Sequence, residues 1–307
     1  MKPNDYLKTI LDEQTFDPDE QELKDLRERR DDIKTLLKDS FSESKPSTRQ
    51  AGSLAKGTMI RESYDVDLTC YFDHGEEDAG KTLKEIYESV EEALRGSYNV
   101  ERKASAIRVR DPQDWATYLH VDVVPGRFIN DDKTDVNLHR TTPEKESLKT
   151  NLQTHVDHIK GSGVVPAIRL VKLWKVKNGI ASAKTFILEL LVVKLLEKKK
   201  DLGLEDQLTH VWTEFRDNAD NLSVEDPANS NNDLSEALDG CRAHLSSVAS
   251  TTLWQIENTG WDAVFGPLEE NEKAENSASR GDALKAAAAA VVTPSKPYCR
   301  GRRSSGR

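Results

Sequence analysis

Apolar side chains recur every three to four positions through the first forty residues, the spacing of an amphipathic helix. This pattern predicts one long helix laid across a core, followed by a polar break over 42–50 that contains Pro46. The residues that form the apolar stripe are Leu23, Leu26, Ile33, Leu36, Leu37 and Phe41.

The period changes to two between Tyr64 and Phe72, which is typical of a strand with two different faces. Further along, the pattern predicts a helix over 81–95, strands over 98–110 and 117–125, and a polar loop over 126–150. Val66, Leu68, Cys70 and Phe72 are expected on one face of the first strand, and Asp65, Asp67, Thr69 and Tyr71 on the other.

Helical spacing dominates beyond residue 144. Pro166 suits the first turn of a helix that runs to Lys177, and residues 185–199 form the most apolar predicted helix. Asp and Asn are abundant over 217–233, which predicts a long loop. Helices are expected again over 233–250 and 270–290, and a basic, Gly- and Ser-rich tail follows from Pro294.

Composition narrows the function classes. The chain has 307 residues and a formal net charge of −10, which argues against a protein whose main task is to grip nucleic acid nonspecifically. The longest apolar run, 186–196, contains Glu189 and Lys194 and is too short to span a bilayer, so no membrane association is expected. No apolar leader follows Met1, and the three cysteines are far apart, so a cytoplasmic protein without a disulfide scaffold is expected.

Residues 52–67 contain the most informative motif. Gly52 and Gly57 let the backbone approach an anion, and free N–H groups with the Ser53 hydroxyl can then hold phosphate oxygens. Asp65 and Asp67 lie two residues apart on a strand, so both carboxylates project from one face, about 6.5–7 Å apart at Cα. Paired carboxylates are suitable ligands for Mg²⁺.

A third carboxylate, Asp122, faces away from Val121 and Val123 by alternation. If the two strands are neighbours, Asp122 joins Asp65 and Asp67, and three carboxylates can hold two Mg²⁺ ions. Each feature alone has an ordinary structural explanation: a turn, a solvated strand face or a structural buried acid. Their joint spacing favours a functional site.

These motifs resemble a known family. Gly52-Ser53, Gly57-Thr58 and Asp65-Val66-Asp67, with the Asp122 strand, are similar to nucleotidyltransferases of the DNA polymerase β superfamily. Segments 170–174, 185–191, 226–232 and 261–266 resemble parts of oligoadenylate synthetases and cyclic GMP-AMP synthase-like enzymes, and the whole resembles bacterial CD-NTases of CBASS anti-phage systems.

The resemblance implies an α+β fold, in which a mixed nucleotidyltransferase sheet with a long N-terminal spine helix packs on a C-terminal helical bundle. It implies a catalytic lobe over 1–145 and a helical lobe over 146–292. The basic, Gly- and Ser-rich composition of 293–307 predicts a disordered tail.

The resemblance also implies site residues. Asp65, Asp67 and Asp122 would be catalytic and would hold two Mg²⁺ ions, with Mn²⁺ able to substitute. Lys172 has a solvated helix face as its alternative, Phe186 a place in the core, and Asn232 a turn cap. Ser230 stands where the family loop commonly has a proline. The expected nucleotide-binding residues are Gly52, Ser53, Lys56, Lys172, Thr185, Phe186 and Asn232.

The function implied is condensation of ATP and other ribonucleoside triphosphates into a cyclic di- or trinucleotide, with release of pyrophosphate, in anti-phage defence. Constitutive activity or control by a regulatory partner protein is expected rather than activation by DNA, since there is no zinc-ribbon insertion. Two alternatives stay open: an RNA 3′-end nucleotidyltransferase of the tRNA CCA type, and a catalytically silent nucleotide-sensing module.

Overall fold

A mixed sheet with helices on one face forms the N-terminal half of the chain. The computed structural model describes residues 1–112, 120–141 and 146–268. The elements of this half, in chain order, are α1 (Pro3–Glu13), α2 (Gln21–Ser40), β1 (Gln50–Ala51), α3 (Gly52–Lys56), β2 (Val66–Phe72), α4 (Leu83–Arg95), β3 (Asn99–Arg102), β4 (Ile107–Arg110), β5 (Val121–Phe128), β6 (Val136–His139) and β7 (Ser147–Thr150).

The strand order brings the carboxylate-bearing strands together. Within the described residues the sheet runs β1-β2-β5-β4-β3, with β6 paired to β5 and β7 paired to β6. Strands β2 and β5 are parallel, and all the other pairs are antiparallel. The register places Asp67 opposite Asp122, and Asp122 opposite Arg108 on β4.

One face of the sheet is apolar and covered by α2 and α4. Val66, Leu68, Cys70 and Phe72 of β2 are buried there, as the alternation predicted. Helix α4 begins with a capping box, in which the Thr82 hydroxyl accepts from the Glu85 N–H and the Glu85 carboxylate accepts from the Thr82 N–H. The opposite face carries Asp67 and Asp122 and, further along β2 and β5, a small buried apolar cluster that includes Tyr71 and Phe128.

The predicted long helix is present as α2, which carries the apolar stripe from Leu23 to Leu37. The prediction was wrong in extending this helix over all of the first forty residues, because α1 is a separate helix. The break lies between α1 and α2, where Pro18 lacks an N–H and Phe16 packs edge-on against Tyr64, with ring centroids 4.9 Å apart. Arg61 bonds the backbone oxygens of Glu13 and Thr15, which satisfies carbonyls at the end of α1. Helix α1 then packs in a core away from the sheet.

The predicted loop over 126–150 was also wrong in part. Strand β5 continues past Pro125 to Phe128, and strands β6 and β7 follow. Each of the latter has only four residues, too few for alternation to stand out among polar neighbours. Similarly, the predicted strand over 98–110 is a hairpin of β3 and β4.

The remaining helices form a second core around aromatic side chains. Trp174 and Trp212 are fully buried, and their ring centroids lie 5.8 Å apart. The Trp174 indole N–H donates to Thr252 Oγ1 at 2.8 Å. Helix α1 contributes Leu7 and Ile10 to this core. The helices are α5 (Leu152–Lys160), α6 (Val165–Lys177), α7 (Thr185–Leu196), α8 (Leu204–Asp217), α9 (Ser235–Asn258) and α10 (Asp262–Phe265), with a 3₁₀ turn at Ala219–Asn221.

Several predictions for this half agree with the structure, among them the helix opened by Pro166 and the loop near 217–233. The predicted helix over 270–290 and the tail lie outside the described residues, and the division into lobes at residue 145 stays a prediction. Across the ranges that the structure describes, no helix has the length and apolar character to cross a bilayer.

Candidate active site

Three carboxylates converge where β2 and β5 lie side by side. Asp67 and Asp122 are Cα partners in the parallel ladder, and Asp65 lies just before β2. Asp65, Asp122 and His120 each offer a ligand atom, and these three atoms all lie within 4.8 Å of one another. The sheet register brings Asp67 beside Asp122, and the short distance between the Asp65 and Asp122 ligand atoms adds the third of the predicted aspartates.

The carboxylates repel one another in a partly desolvated place. Burial, followed by the charges of Asp65 and Asp122, raises the pKa of Asp67 to about 7. Lys56 and Arg108 oppose this shift without cancelling it. Such a cluster favours a cation, because a bound positive charge would relieve the repulsion.

Gly52 lies directly against the Asp67 carboxylate. Its φ is +63°, and a Cβ built on it would lie 1.5 Å from Asp67 Oδ2, so a side chain at this position would displace that carboxylate. The next residue, Ser53, has a buried Oγ without a hydrogen-bond partner. An unpaired hydroxyl on the residue that follows Gly52 is suited to a ligand that brings its own acceptor atoms.

The donor set fits the divalent cation and the phosphate groups implied by the motif. Asp65 and Asp122, together with His120, form a group able to hold a hard cation, and Asp67 lies beside Asp122 in the sheet. The Ser53 hydroxyl with the Gly52 backbone suits phosphate oxygens. The fit rests on the raised pKa of Asp67 and on the orphaned Ser53 Oγ.

Arg108 is a residue of this site that spacing along the chain does not single out. Arg108 Nε and Nη2 donate to the two oxygens of Asp122, both at 2.9 Å. Alternation places Arg108 on the strand face away from Ile107 and Val109. Only the pairing of β4 with β5 shows that it meets Asp122. His120 is a second such residue, which no motif in the sequence marks.

Two lysines expected at phosphates belong to a buried charged cluster. The Lys56 ammonium pairs with the Glu189 carboxylate, which is 0% exposed. Lys172 is 5% exposed, so the alternative of a solvated helix face was wrong, and its Nζ donates to the Thr58 carbonyl at 2.6 Å. The one signal for Glu189 in the sequence was a charge within an apolar run.

Phe186 is placed in a way that fits both of its predicted roles, packing in the core and contact with a nucleotide. The ring is half-buried against the helical core, and it also borders the site's cavity. His155 lies against it, with ring centroids 4.9 Å apart. Thr185, the first residue of α7, is half-buried beside it.

The 226–232 loop supports His155. His155 Nε2 lies 2.7 Å from Asp226 Oδ1, and the Asn232 amide donates to Asp226 Oδ2 at 2.8 Å. Burial opposes ionisation of Asp226, but hydrogen bonds from His155, Asn232 and the Ala228 N–H outweigh it and lower the pKa. Asn232 thus uses its amide inside the loop, and its predicted contact with a nucleotide stays a prediction.

A cavity of about 640 Å³ extends from Gly52 and Asp67 to His155 and Phe186, a volume in the range of small-molecule sites. Its floor is the polar face of β2 and β5, and helix α5 lines the other side. Of the predicted residues, Gly52, Lys56, Asp67 and Phe186 border the cavity; the structure does not place Ser53, Asp65, Asp122, Lys172, Thr185 or Asn232 at its wall.

Residues 1–161 match the family model described as the Second Messenger Oligonucleotide or Dinucleotide Synthetase domain. The chain belongs to this family. The match covers the whole sheet and the three carboxylates, and it supports a metal-dependent nucleotidyltransferase domain with an Asp/His/Asp group able to hold a metal.

A relative with an assigned activity is the cyclic AMP-AMP-AMP synthase of Escherichia coli strain MS 115-1. It is 28% identical over 171 residues, which are 50% of this chain and 51% of that protein. The chain thus matches about half the length of this relative, and the match alone does not transfer that protein's product.

Solved structures confirm the predicted fold class. Escherichia coli MS115-1 CdnC with ATP has a TM-score of 0.61 at 20% identity, covering 86% of this chain and 98% of that one. Vibrio cholerae DncV, a cyclic AMP-GMP synthase, has a TM-score of 0.61 at 14% identity, covering 78% and 76%. CdnC in complex with HORMA-deltaN has a TM-score of 0.62 at 20% identity, covering 88% and 98%.

Proposed function

We propose that this chain is a nucleotidyltransferase that condenses ribonucleoside triphosphates, ATP among them, into a cyclic di- or trinucleotide. Pyrophosphate is released, and the product serves as a second messenger in anti-phage defence. The observation that carries the proposal is the meeting of Asp65, Asp67 and Asp122 beside the Gly52-Ser53 turn, whose hydroxyl has no protein partner. Membership of the synthetase domain family supports it.

The reaction is an in-line displacement at the α-phosphorus. A ribose hydroxyl oxygen forms a new bond to that phosphorus, the bond to the bridging oxygen breaks, and pyrophosphate leaves with the electron pair. Asp122 is the proposed acceptor of the hydroxyl proton. A second displacement in the same site closes the ring.

Asp65, Asp67 and Asp122 would hold two Mg²⁺ ions, for which Mn²⁺ can substitute. Bound there, the cations would supply positive charge that offsets the triphosphate and would lower the pKa of the attacking hydroxyl. Gly52 and Ser53 orient the phosphates, because the backbone can approach closely and the hydroxyl is available to donate.

The remaining contacts to the nucleotide come from the second half of the chain and from α3. Phe186 offers a ring face to the base, with His155 packed against it. Lys56 and Lys172 supply positive charge near the phosphates. Thr185 and Asn232 complete the proposed nucleotide-binding residues.

A regulatory partner protein is part of the proposal. The relative CdnC was solved in complex with HORMA-deltaN, and the structural match to this chain covers 98% of that CdnC chain. A protein partner is therefore preferred to a DNA activator for this chain, as the absent zinc-ribbon insertion also indicates.

The test incubates the purified protein with Mg²⁺ and four radiolabelled ribonucleoside triphosphates, then applies phosphatase and resolves the products. A phosphatase-resistant product is expected, and omission of single nucleotides would identify its bases. The double variant Asp65→Asn with Asp67→Asn should abolish it, while the exposed control Asp201→Asn should retain it.

Other outcomes would overturn the proposal. Extension of labelled tRNA without a resistant product would identify an RNA 3′-end transferase. ATP binding without any turnover, with Mn²⁺ and candidate partner proteins supplied, would identify a nucleotide-sensing module.

A further inference from the structure

One carboxylate lies inside the most apolar helix of the protein. Glu189 of α7 is 0% exposed, and its neighbours Leu188 and Leu190 belong to the hydrophobic core. A buried ionised carboxylate is costly unless it is paired, and a leucine would pack here without that cost. Packing alone therefore does not explain why position 189 carries a carboxylate.

Both oxygens of Glu189 bind one short segment of the N-terminal half. The Thr58 hydroxyl donates to Oε1 at 2.6 Å, and the Lys56 ammonium donates to Oε2. From α6, Lys172 Nζ donates to the Thr58 carbonyl at 2.6 Å. Residues 56–58 are therefore held between two buried helices of the second half.

The same connection reaches the turn beside the carboxylates. The Thr58 N–H donates to the Ser53 carbonyl at 2.9 Å, and Thr58 is itself 0% exposed. Movement of Thr58 would move Ser53, whose Oγ has no protein partner. Glu189 is thereby linked to Ser53 through two hydrogen bonds.

The net charge of the cluster around Lys56 also suits a site for phosphates. Lys56 borders the cavity with 13% of its side chain exposed, so its ammonium is held at the wall by Glu189. Two lysines and one carboxylate leave one positive charge beside a site for phosphates. Burial lowers the pKa of Lys172 to about 8, and the Glu189 carboxylate limits that shift.

We propose that Glu189 is a positioning residue for the triphosphate, which acts through Lys56 and Thr58 and does not itself touch the nucleotide. It fixes the Lys56 ammonium and, through Thr58, the Ser53 hydroxyl toward the phosphates. This inference rests on the proposed function, because it assumes that a nucleoside triphosphate binds at Gly52 and Ser53.

The experiment measures binding of ATP and of AMP to the full chain by calorimetry, with Mg²⁺ present. Glu189→Gln keeps an oxygen for Thr58 but loses the ion pair, so ATP affinity should fall about tenfold. AMP lacks the β- and γ-phosphates, and its affinity should change less than twofold. In turnover, KM for ATP should rise while kcat stays within threefold.

A double-mutant cycle tests whether Glu189 acts on ATP binding through Lys56. Lys56→Met should weaken ATP binding, and adding Glu189→Gln should cause no further loss, because the two residues act as one unit. Glu197→Gln, an exposed glutamate just after α7, is the matched control and should bind ATP as the unmodified protein does.

Equal ATP affinity of Glu189→Gln and Glu197→Gln would overturn the inference, as would losses that multiply in the double variant. Should Glu189→Gln fail to fold, Thr58→Val removes the hydroxyl at similar volume, and unchanged ATP affinity there would overturn it too. Binding is read without turnover. Absence of a cyclic product alongside an intact effect on ATP affinity would thus refute the proposed function alone.

Discussion

Arg108 donates hydrogen bonds to both oxygens of Asp122, from Nε and Nη2, each at 2.9 Å. The two residues face each other across the β4–β5 ladder, and both side chains are largely buried. A two-point pair of this kind fixes the orientation of the carboxylate. Any cation bound by Asp122 therefore competes with Arg108 for the same oxygens.

Removing the guanidinium should strengthen cation binding. We expect Arg108→Gln to lower the Mn²⁺ concentration for half-saturation about fivefold, or about 1 kcal/mol, because Asp122 loses its competing partner. The measurement is a calorimetric titration of the nucleotide-free protein. Arg110→Gln is the control, since Arg110 pairs with the exposed Glu101 on the edge hairpin. Identical titrations for Arg108→Gln and the unmodified protein would contradict this prediction.

The contact between Gly52 and Asp67 predicts a sharp difference between two glycine variants. In Gly52→Ala, a Cβ would lie 1.5 Å from Asp67 Oδ2, and turnover should fall at least about 100-fold as the carboxylate is displaced. Gly57 also has a positive φ, of +74°, but nothing lies within 4 Å of its Cβ position. Gly57→Ala should cost about 1 kcal/mol of stability and keep turnover within threefold.

Rates of pyrophosphate release, with thermal unfolding as the check on folding, distinguish the two variants. Comparable loss of turnover in both would mean that left-handed backbone, rather than contact with Asp67, makes Gly52 necessary.

Asp67 should make the metal-free protein less stable. Its pKa is about 7 in the folded state and near 4 when unfolded, so between these values the folded protein holds a proton that the unfolded chain has released. Stability attributable to Asp67 therefore falls as pH rises from about 4 to about 7. We expect Asp67→Asn to raise the free energy of unfolding by about 1 kcal/mol or more at pH 8.

Thermal unfolding in EDTA at pH 5 and pH 8 tests this sign, and the advantage of Asp67→Asn should be larger at pH 8. Asp201→Asn, on an exposed turn, should show no such dependence. A variant less stable than the unmodified protein at pH 8 would refute the argument.

The ring of Phe186 should matter for nucleotide affinity beyond its volume. Phe186→Leu keeps an apolar side chain against the helical core but removes the face that a base can stack on, so ATP affinity should fall about fivefold or more. Calorimetry with ATP is the measurement. Leu195→Ala, a partly buried position on the same helix outside the cavity, controls for general loosening of α7. Unchanged affinity in Phe186→Leu would assign the ring to packing alone.

The sequence determined the local chemistry and the identity of the main elements. Alternation over residues 64–72 separated Asp65 and Asp67 from the apolar side chains, because a strand sends successive residues to opposite faces. The same rule set Asp122 apart from its valine neighbours. Spacing along the chain is sufficient for such features, since they depend on a few consecutive residues.

Tertiary structure decided what those residues meet. The parallel pairing of β2 with β5 put Asp67 beside Asp122, and the antiparallel pairing of β4 put Arg108 on the same carboxylate. Glu189 and Lys56 are 133 positions apart in the chain, and only the packing of α7 against residues 56–58 brings them together. Local spacing could not predict these contacts, because strand register and helix packing are set by how the whole core closes.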